Sequence, residues 1–509
     1  MIDTIFAHPV ALSVIAGFLL VGVIGKVMRM SFEKIARVYL YIAAFTVIIV
    51  MNSIFFPFIG GKDYFFRFAN ELALASVVLW WAFEAKKGEL GRRVKALFKK
   101  PIAIAVTIFV AMFQVATIFA YDAYAAFWSN YERGEGGFMM LHYYLFFLLL
   151  LFLFTEERQW KHFFKMSLIA AGLVCLYGLG GNYSLNGFIG PWAGATPPTN
   201  WWQVLVGNRF QGSLGNAAYV GAYLLFSMFY IGYLWTSAKM ANTLKKGHIW
   251  AYSIMLAAAL FFFFLSATRG AFLGLMAGIF AAVVYVVFAS KGKVRKWGAV
   301  IMGVLIIFAL FVYANRRDPI LQKIPEGRLL QISLQDSTAQ TRLWVWGEAW
   351  QGFLQKPITG WGPENFTAVY DKFFNPKFYT PGVNSETWFD RAHSIYFDYL
   401  SETGILGFLS YFGIFAVLFV LLSKKFRRDD DARTEQAQGA ETALKRHGTA
   451  LRFQQALLIA IPVAYLVQGI AIFDVLPMYI STFGMFAFMA YYVGTKGVAH
   501  ELNHHHDNG

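Results

Sequence analysis

Of 509 residues, 58% are hydrophobic, 18% aromatic and 14% charged, which is far more apolar surface than a single water-soluble core can bury. The net charge of +15 would suggest nucleic acid in a soluble chain, but here its meaning depends on where the basic residues sit. A single cysteine, Cys175, excludes an intramolecular disulfide and argues against a cysteine-rich metal cluster.

Runs of about twenty apolar residues, enough to cross ~30 Å of hydrocarbon as a helix, recur along the whole chain. About thirteen are read, at 8–28, 37–59, 64–83, 101–121, 137–154, 163–180, 213–236, 249–267, 270–289, 297–314, 393–422, 453–473 and 475–494. The first is expected to be a retained anchor, because no basic region precedes it and its charges, Lys26 and Arg29, follow it. No long repeat period is visible, so duplicated halves are not inferred. Lysine and arginine crowd into alternate short connections, at 26–37, 86–100, 158–165, 239–246, 291–296 and 424–428. The positive-inside rule makes those cytoplasmic and gives an N-out, C-in topology. The expected fold is therefore all-α, a polytopic transmembrane bundle of about 12–13 helices.

Two long connections fall on the outer side, 181–212 and 316–391, and the second is too long for a plain connector. Within it, "STAQTRLWVWGEAWQGFL" (337–354) places Leu343, Trp346, Trp350 and Phe353 on one stripe of an amphipathic helix that lies on the bilayer or caps the bundle. "PITGWGPENF" (357–366) then breaks it with proline and glycine turn chemistry. A structured outer subdomain is expected.

Three outward positions stand at the mouths of apolar runs: Arg209, Arg269 in "LSATRGAF", and His393. A planar guanidinium suits phosphate bidentately, so the two arginines suggest a diphosphate clamp. A histidine accepts a proton near neutral pH, as a hydroxyl nucleophile requires. Each taken alone also has a plainer reading, as an arginine snorkelling to headgroups or an interfacial histidine; their joint placement on one side favours chemistry. Asp474, in the outward hairpin "FDVLP", either orients a base or a substrate amine, or is simply solvated. Arg342 and Glu348 on the amphipathic helix either line the acceptor entrance or, as the favoured reading, solubilise its wet face.

Other signals carry less. "DDD" (429–431) lies beside "KKFRR" and reads as a solvated charge run. "HHH" (504–506) is given no role, and "GWG" (360–362) is read as a turn. The tryptophans of "PWAGATPPTNWW" (191–202) stack on sugars or, more in keeping with their position, join the interfacial aromatic belt. Cys175 is expected only to pack.

The order "LSATRGAFLGL", "TRLWVWGEAWQGFLQKPITGWGPENF", "AHSIYFDYLSETGILGFLSYF" resembles the O-antigen ligase and O-antigen polymerase superfamily over roughly residues 205–420. The resemblance implies a GT-C-like, metal-independent inverting glycosyltransferase without cofactor in the bacterial cytoplasmic (inner) membrane. Its donor would be a glycan on undecaprenyl diphosphate. Its acceptor would be a sugar hydroxyl of the lipid A core or another envelope glycan on the periplasmic side. It assigns Arg209, Arg269 and His393 to catalysis and matches Asp474 to a family acidic residue, a substrate-binding position; Arg342 is a further substrate-binding candidate from its place on the amphipathic helix. Thr268 and Ser394 stand where many relatives have serine and asparagine. Membrane lipids are the expected surroundings and nucleic acid is not expected as a partner. A polysaccharide polymerase and a protein O-oligosaccharyltransferase remain alternatives within the superfamily, and a lipid-linked glycan transporter outside it. The organisation expected is N-terminal transmembrane helices (1–204), a catalytic region (205–422) with outer loop 316–391, a charged cytoplasmic loop (423–452), and C-terminal helices and tail (453–509).

Overall fold

The computed structural model describes residues 9–51, 53–54, 56–130, 133–183, 209–315, 337–379, 388–436 and 441–495. Among them are seventeen α-helices and no strand. The N-terminal part holds α1 (Pro9–Met28), α2 (Phe32–Ala43), α3 (Gly60–Phe83), α4 (Glu89–Leu97), α5 (Pro101–Ile118), α6 (Ala123–Trp128), α7 (Gly137–Leu153) and α8 (Glu157–Tyr183). Then come α9 (Ala217–Met240), α10 (Lys246–Leu265), α11 (Arg269–Ala289) and α12 (Gly292–Asn315). Next come α13 (Ser337–Gln355) and α14 (Phe366–Lys372), in the segment expected to form a subdomain, and then α15 (Ile395–Gln436), α16 (Glu441–Gln468) and α17 (Leu476–Gly494).

Nine of the described helices are long and apolar enough to cross a membrane, and two shorter apolar helices, Ala16–Met28 and Gly137–Leu153, join them. The molecule is a polytopic helical membrane protein. The expected run 37–59 is corrected: α2 gives way to a 3₁₀ turn at Ala44–Ile48, and the chain then leaves helical geometry until α3. Irregular backbone away from water needs internal partners. Lys62 supplies them, its Nζ donating to the carbonyls of Ile49 (2.6 Å), Phe58 (2.8 Å) and Ser213 (2.8 Å). The run 64–83 is helical, but Lys62, Asp63, Arg67 and Glu71 in the first half of α3 lower its hydropathy.

Central and peripheral helices separate by burial. In α9 and α17, 83% of the apolar window is covered by protein, against 6% in α12, so the last faces outward, where lipid would lie. α11 and α16 approach backbone to backbone along Gly270, Gly274 and Gly278. A Cβ at Gly274 would lie 2.5 Å from the Ala464 carbonyl oxygen, and one at Gly278 2.9 Å from that of Ala460. Small residues at this spacing let helices close up where no hydrophobic drive separates them from lipid.

The basic connections gather at one end of the bundle. There Glu157 accepts from Ser237 (2.9 Å), Arg452 pairs with Asp430 (2.5 Å), and Arg428 reaches the Val493 carbonyl (3.4 Å). The "DDD" run is not wholly solvated: Asp429 is 2% exposed and bound by Lys425 at 2.9 Å. The polar groups of the candidate site gather at the opposite end. Cys175 is buried and free, packed in an apolar cluster. The 191–202 tryptophans and the 504–506 histidines lie outside the described residues.

Candidate active site

Arg209 and Arg269 meet through one turn. α10 ends at Leu265, whose carbonyl accepts from the Phe210 N–H at 2.9 Å. Arg209 then donates from Nε to the Ser266 carbonyl (3.1 Å) and from Nη2 to Thr268 Oγ1 (3.0 Å). Thr268 is the N-cap residue of α11, and Arg269 is the first residue of that helix, where the helix dipole favours an anion. The Arg209 segment is itself anchored: Lys62 holds the Ser213 carbonyl, and Ser213 Oγ donates to the Val47 carbonyl at 2.8 Å. The side chain of Thr268 thus ties the earlier arginine to the turn that carries the later one.

Beside Arg269, Gly270 packs on the connection between α16 and α17, its built Cβ 3.2 Å from Ala471 Cβ. The same connection accepts the Ile395 N–H through the carbonyls of Gly469 (2.9 Å) and Ile472 (3.2 Å). Its next residue, Phe473, meets the His393 imidazole edge to face with centroids 5.1 Å apart. Residues 469–473 therefore stand between the Arg269 turn and His393.

His393 sits just before α15 with φ 56°, a left-handed conformation that disfavours a branched or bulky side chain. Its neighbours hold it there. Trp346 Nε1 donates to the Ala392 carbonyl (3.1 Å), Asp398 Oδ1 accepts from the Ala392 N–H (2.6 Å), and Phe389, like Phe473, meets the imidazole edge to face, at 5.5 Å between centroids. Nδ1 contacts the Arg391 carbonyl at 3.2 Å. A carbonyl only accepts, so Nδ1 carries the proton and Nε2 the lone pair. Burial lowers the imidazole pKa from 6.5 to about 4; the Arg391 carbonyl works against that shift, while the charges of Arg342 and Arg133 add to it. At neutral pH the ring is a neutral acceptor.

The charged groups beneath His393 escaped the sequence reading. Arg391 is 6% exposed and donates to Glu402 (2.8 Å) and Glu364, with Glu135 Oε2 3.6 Å away. Arg133 grips Asp390 through two bonds (2.5 and 3.0 Å), and its guanidinium lies 4.9 Å from the Phe473 ring centre. Burial raises the Glu135 carboxyl well above its usual range, against the pull of Arg391. The available signal was Asp398 and Glu402, two carboxylates one turn apart in an otherwise apolar run.

"GWG" is more than a turn. At Gly404 the helical run of α15 is interrupted (φ 61°, ψ −165°), and the 357–362 segment docks into the break. Trp361 N–H donates to the Ser401 carbonyl (2.9 Å), Gly362 N–H to Glu402 (2.8 Å), and Ile405 N–H to Pro357 (2.8 Å). Gly360 (φ 70°) and Gly404 admit no side chain: a Cβ on either would come within 2.4 Å of the opposing backbone. The joint sets Glu364 and Glu402 on the same guanidinium.

Of the two readings left open for Asp474, the solvated one does not hold, because the residue is buried. Tyr411 donates to its Oδ2 at 3.3 Å and Tyr465 donates to the same oxygen. Burial lifts this carboxyl to about 6. Between Asp474 and the Arg391 cluster lies a cavity of about 20 Å³, room for one water. Glu348 is corrected: it is 2% exposed rather than solvated, and accepts from the Asn375 N–H at 2.9 Å. Arg342 is half-buried and its field reaches His393.

The chain is a multi-pass helical bundle with a buried polar cluster at one end, against which the helices of residues 337–379 pack. Residues 254–412 match the family model described as O-antigen ligase, a match that supports the O-antigen ligase superfamily. The matched stretch contains Arg269, Arg342 and His393, while Arg209 and Asp474 lie outside it. No curated protein matches the chain.

Proposed function

We propose that the protein transfers a glycan from undecaprenyl diphosphate to a sugar hydroxyl, on the periplasmic side of the bacterial inner membrane. Arg269, at the helix N-terminus, and Arg209, braced on the same turn, bind the donor's diphosphate and stabilise the charge that grows on it as the glycosidic bond breaks. His393 Nε2 takes the acceptor hydroxyl's proton while that oxygen bonds to the anomeric carbon from the opposite face. The C–O bond to the diphosphate breaks, undecaprenyl diphosphate leaves, and the anomeric configuration inverts. No metal is required by these steps. An imidazole with a pKa of about 4 is a weak base alone. The incoming diphosphate offsets the fields of Arg342 and Arg133 and strengthens it at the moment of use.

The observation that carries this reading is the shared packing of both centres on residues 469–473, with Gly270 on one side and Ile395 and the His393 ring on the other. Purified protein incubated with a polyprenyl-diphosphate glycan and an acceptor should release the diphosphate lipid and form an inverted glycoside. A lipid-linked glycan transporter would release none. Lipid A core, repeat-unit glycan and protein acceptors offered in turn distinguish ligase, polymerase and protein O-oligosaccharyltransferase. Full-rate transfer by His393→Ala would refute the assignment of the base.

A further inference from the structure

Helix α13 and residues 373–376 enclose an open groove of about 350 Å³, lined by Trp344, Glu348, Gln351, Phe373, Phe374 and Asn375 among others. We propose that this groove is a carbohydrate subsite that holds the glycan portion of one of the two substrates, apart from the reacting centre.

Its chemistry selects a neutral polyol. A pyranose offers apolar C–H faces and a rim of hydroxyls, and aromatic rings interspersed with carboxylate and amide groups match both. Among the described residues no lysine or arginine lines the groove, so these residues do not suit phosphate. The second observation is Glu348 itself. It is 2% exposed, its Oε1 accepts from the Asn375 N–H, and its Oε2 has no hydrogen-bond partner. A buried acceptor without a donor is costly, and a ligand hydroxyl would supply the missing bond.

Position supports the same occupant. The other side of α13 faces an apolar groove of about 500 Å³, lined by Trp346, Trp350, Tyr396, Phe397, Leu400 and Phe408. The two grooves share Leu343 and Gly347, and a Cβ at Gly347 would meet nothing within 4 Å. A molecule with a hydrocarbon tail and a sugar head can therefore lie across the helix at Gly347. Assigning the sugar to a substrate rests on the glycosyl-transfer reading; binding to the groove does not.

The test uses full-length protein in nanodiscs and two probes: free glycan released by mild acid from the polyprenyl-diphosphate pool of the source cells, and glycan released from their envelope glycolipid. Calorimetry should show one of them binding, at least fivefold more weakly to Phe374→Ser and to Glu348→Gln. Phe374 is 42% exposed, so its variant should fold normally, and unchanged thermal melting checks this. The loss should recur as a matching rise in KM for the substrate that carries the bound glycan. The proposal is overturned if neither glycan binds wild type, or if both variants bind as wild type does. His393→Ala should bind normally; transfer by that variant would remove the base while leaving the subsite intact.

Discussion

His393 Nδ1 donates to the carbonyl oxygen of Arg391, 3.2 Å away and two residues earlier in the chain. The bond settles which nitrogen is available for chemistry, and the left-handed backbone at His393 (φ 56°) makes it possible. Asparagine tolerates that conformation but cannot act as a base. His393→Asn should keep the wild-type melting temperature to within a few degrees and lose about 10²–10⁴-fold in transfer rate. Rates and melting curves on the same preparation test both halves.

The acid side of the pH profile follows from the buried imidazole. Since His393 titrates near 4 in the protein, kcat/KM should stay flat as pH falls through 6.5 and decline only toward 4, with other ionisations held apart by comparison with His393→Asn. In the donor complex the adjacent diphosphate raises that pKa, so the acid limb of kcat should lie at higher pH than that of kcat/KM. Stability has the same sign: the unfolded chain binds a proton below about 6.5 that the folded one refuses until about 4, so folding weakens progressively between those values.

Arg269→Lys keeps the charge and loses the planar fork. Transfer should fall by at least about 10-fold, an effect of roughly 1.4 kcal/mol or more on the barrier, with donor KM rising. Kinetics with varied donor concentration check this, and an unchanged enzyme would exclude a forked diphosphate contact.

Around Arg391 the two possible deletions are unequal. Removing the guanidinium leaves Glu135, Glu364 and Glu402 without the cation they share, and Arg391→Ala should cost about 3–5 kcal/mol. Glu402→Gln removes one of several competing carboxylates and should be far milder. Thermal unfolding in detergent would rank them, and equal losses would contradict the description of the cluster.

Gly404→Ala adds a methyl group at φ 61° that meets the Ile358 carbonyl oxygen at 2.4 Å. Strain and overpacking together should cost about 3 kcal/mol or more, read as a lower melting temperature.

Helices were legible wherever a run was uniformly apolar. The stripe Leu343, Trp346, Trp350 and Phe353 also announced α13 and its apolar side. Run 37–59 misled because hydrophobicity does not report who satisfies the backbone: three carbonyls there and nearby are held by one lysine, Lys62. Arg269 and His393 could be picked out as polar groups at helix mouths. Arg391, Glu135 and Glu364 could not, because their meaning lies in tertiary pairings, Glu135 reaching Arg391 from a distant part of the chain and Glu364 from across a folded-back segment. Glu348 was misjudged for a related reason, since sequence shows a charge but not the loop that covers it.

The interlocked glycines at 360 and 404 tie the cap to the scaffold through main-chain bonds on both sides of the break. A domain fastened this way cannot swing as a door without tearing its own backbone pairing. That end of the bundle is therefore a standing frame, whose shape is set by the joint itself and not by any act of closing.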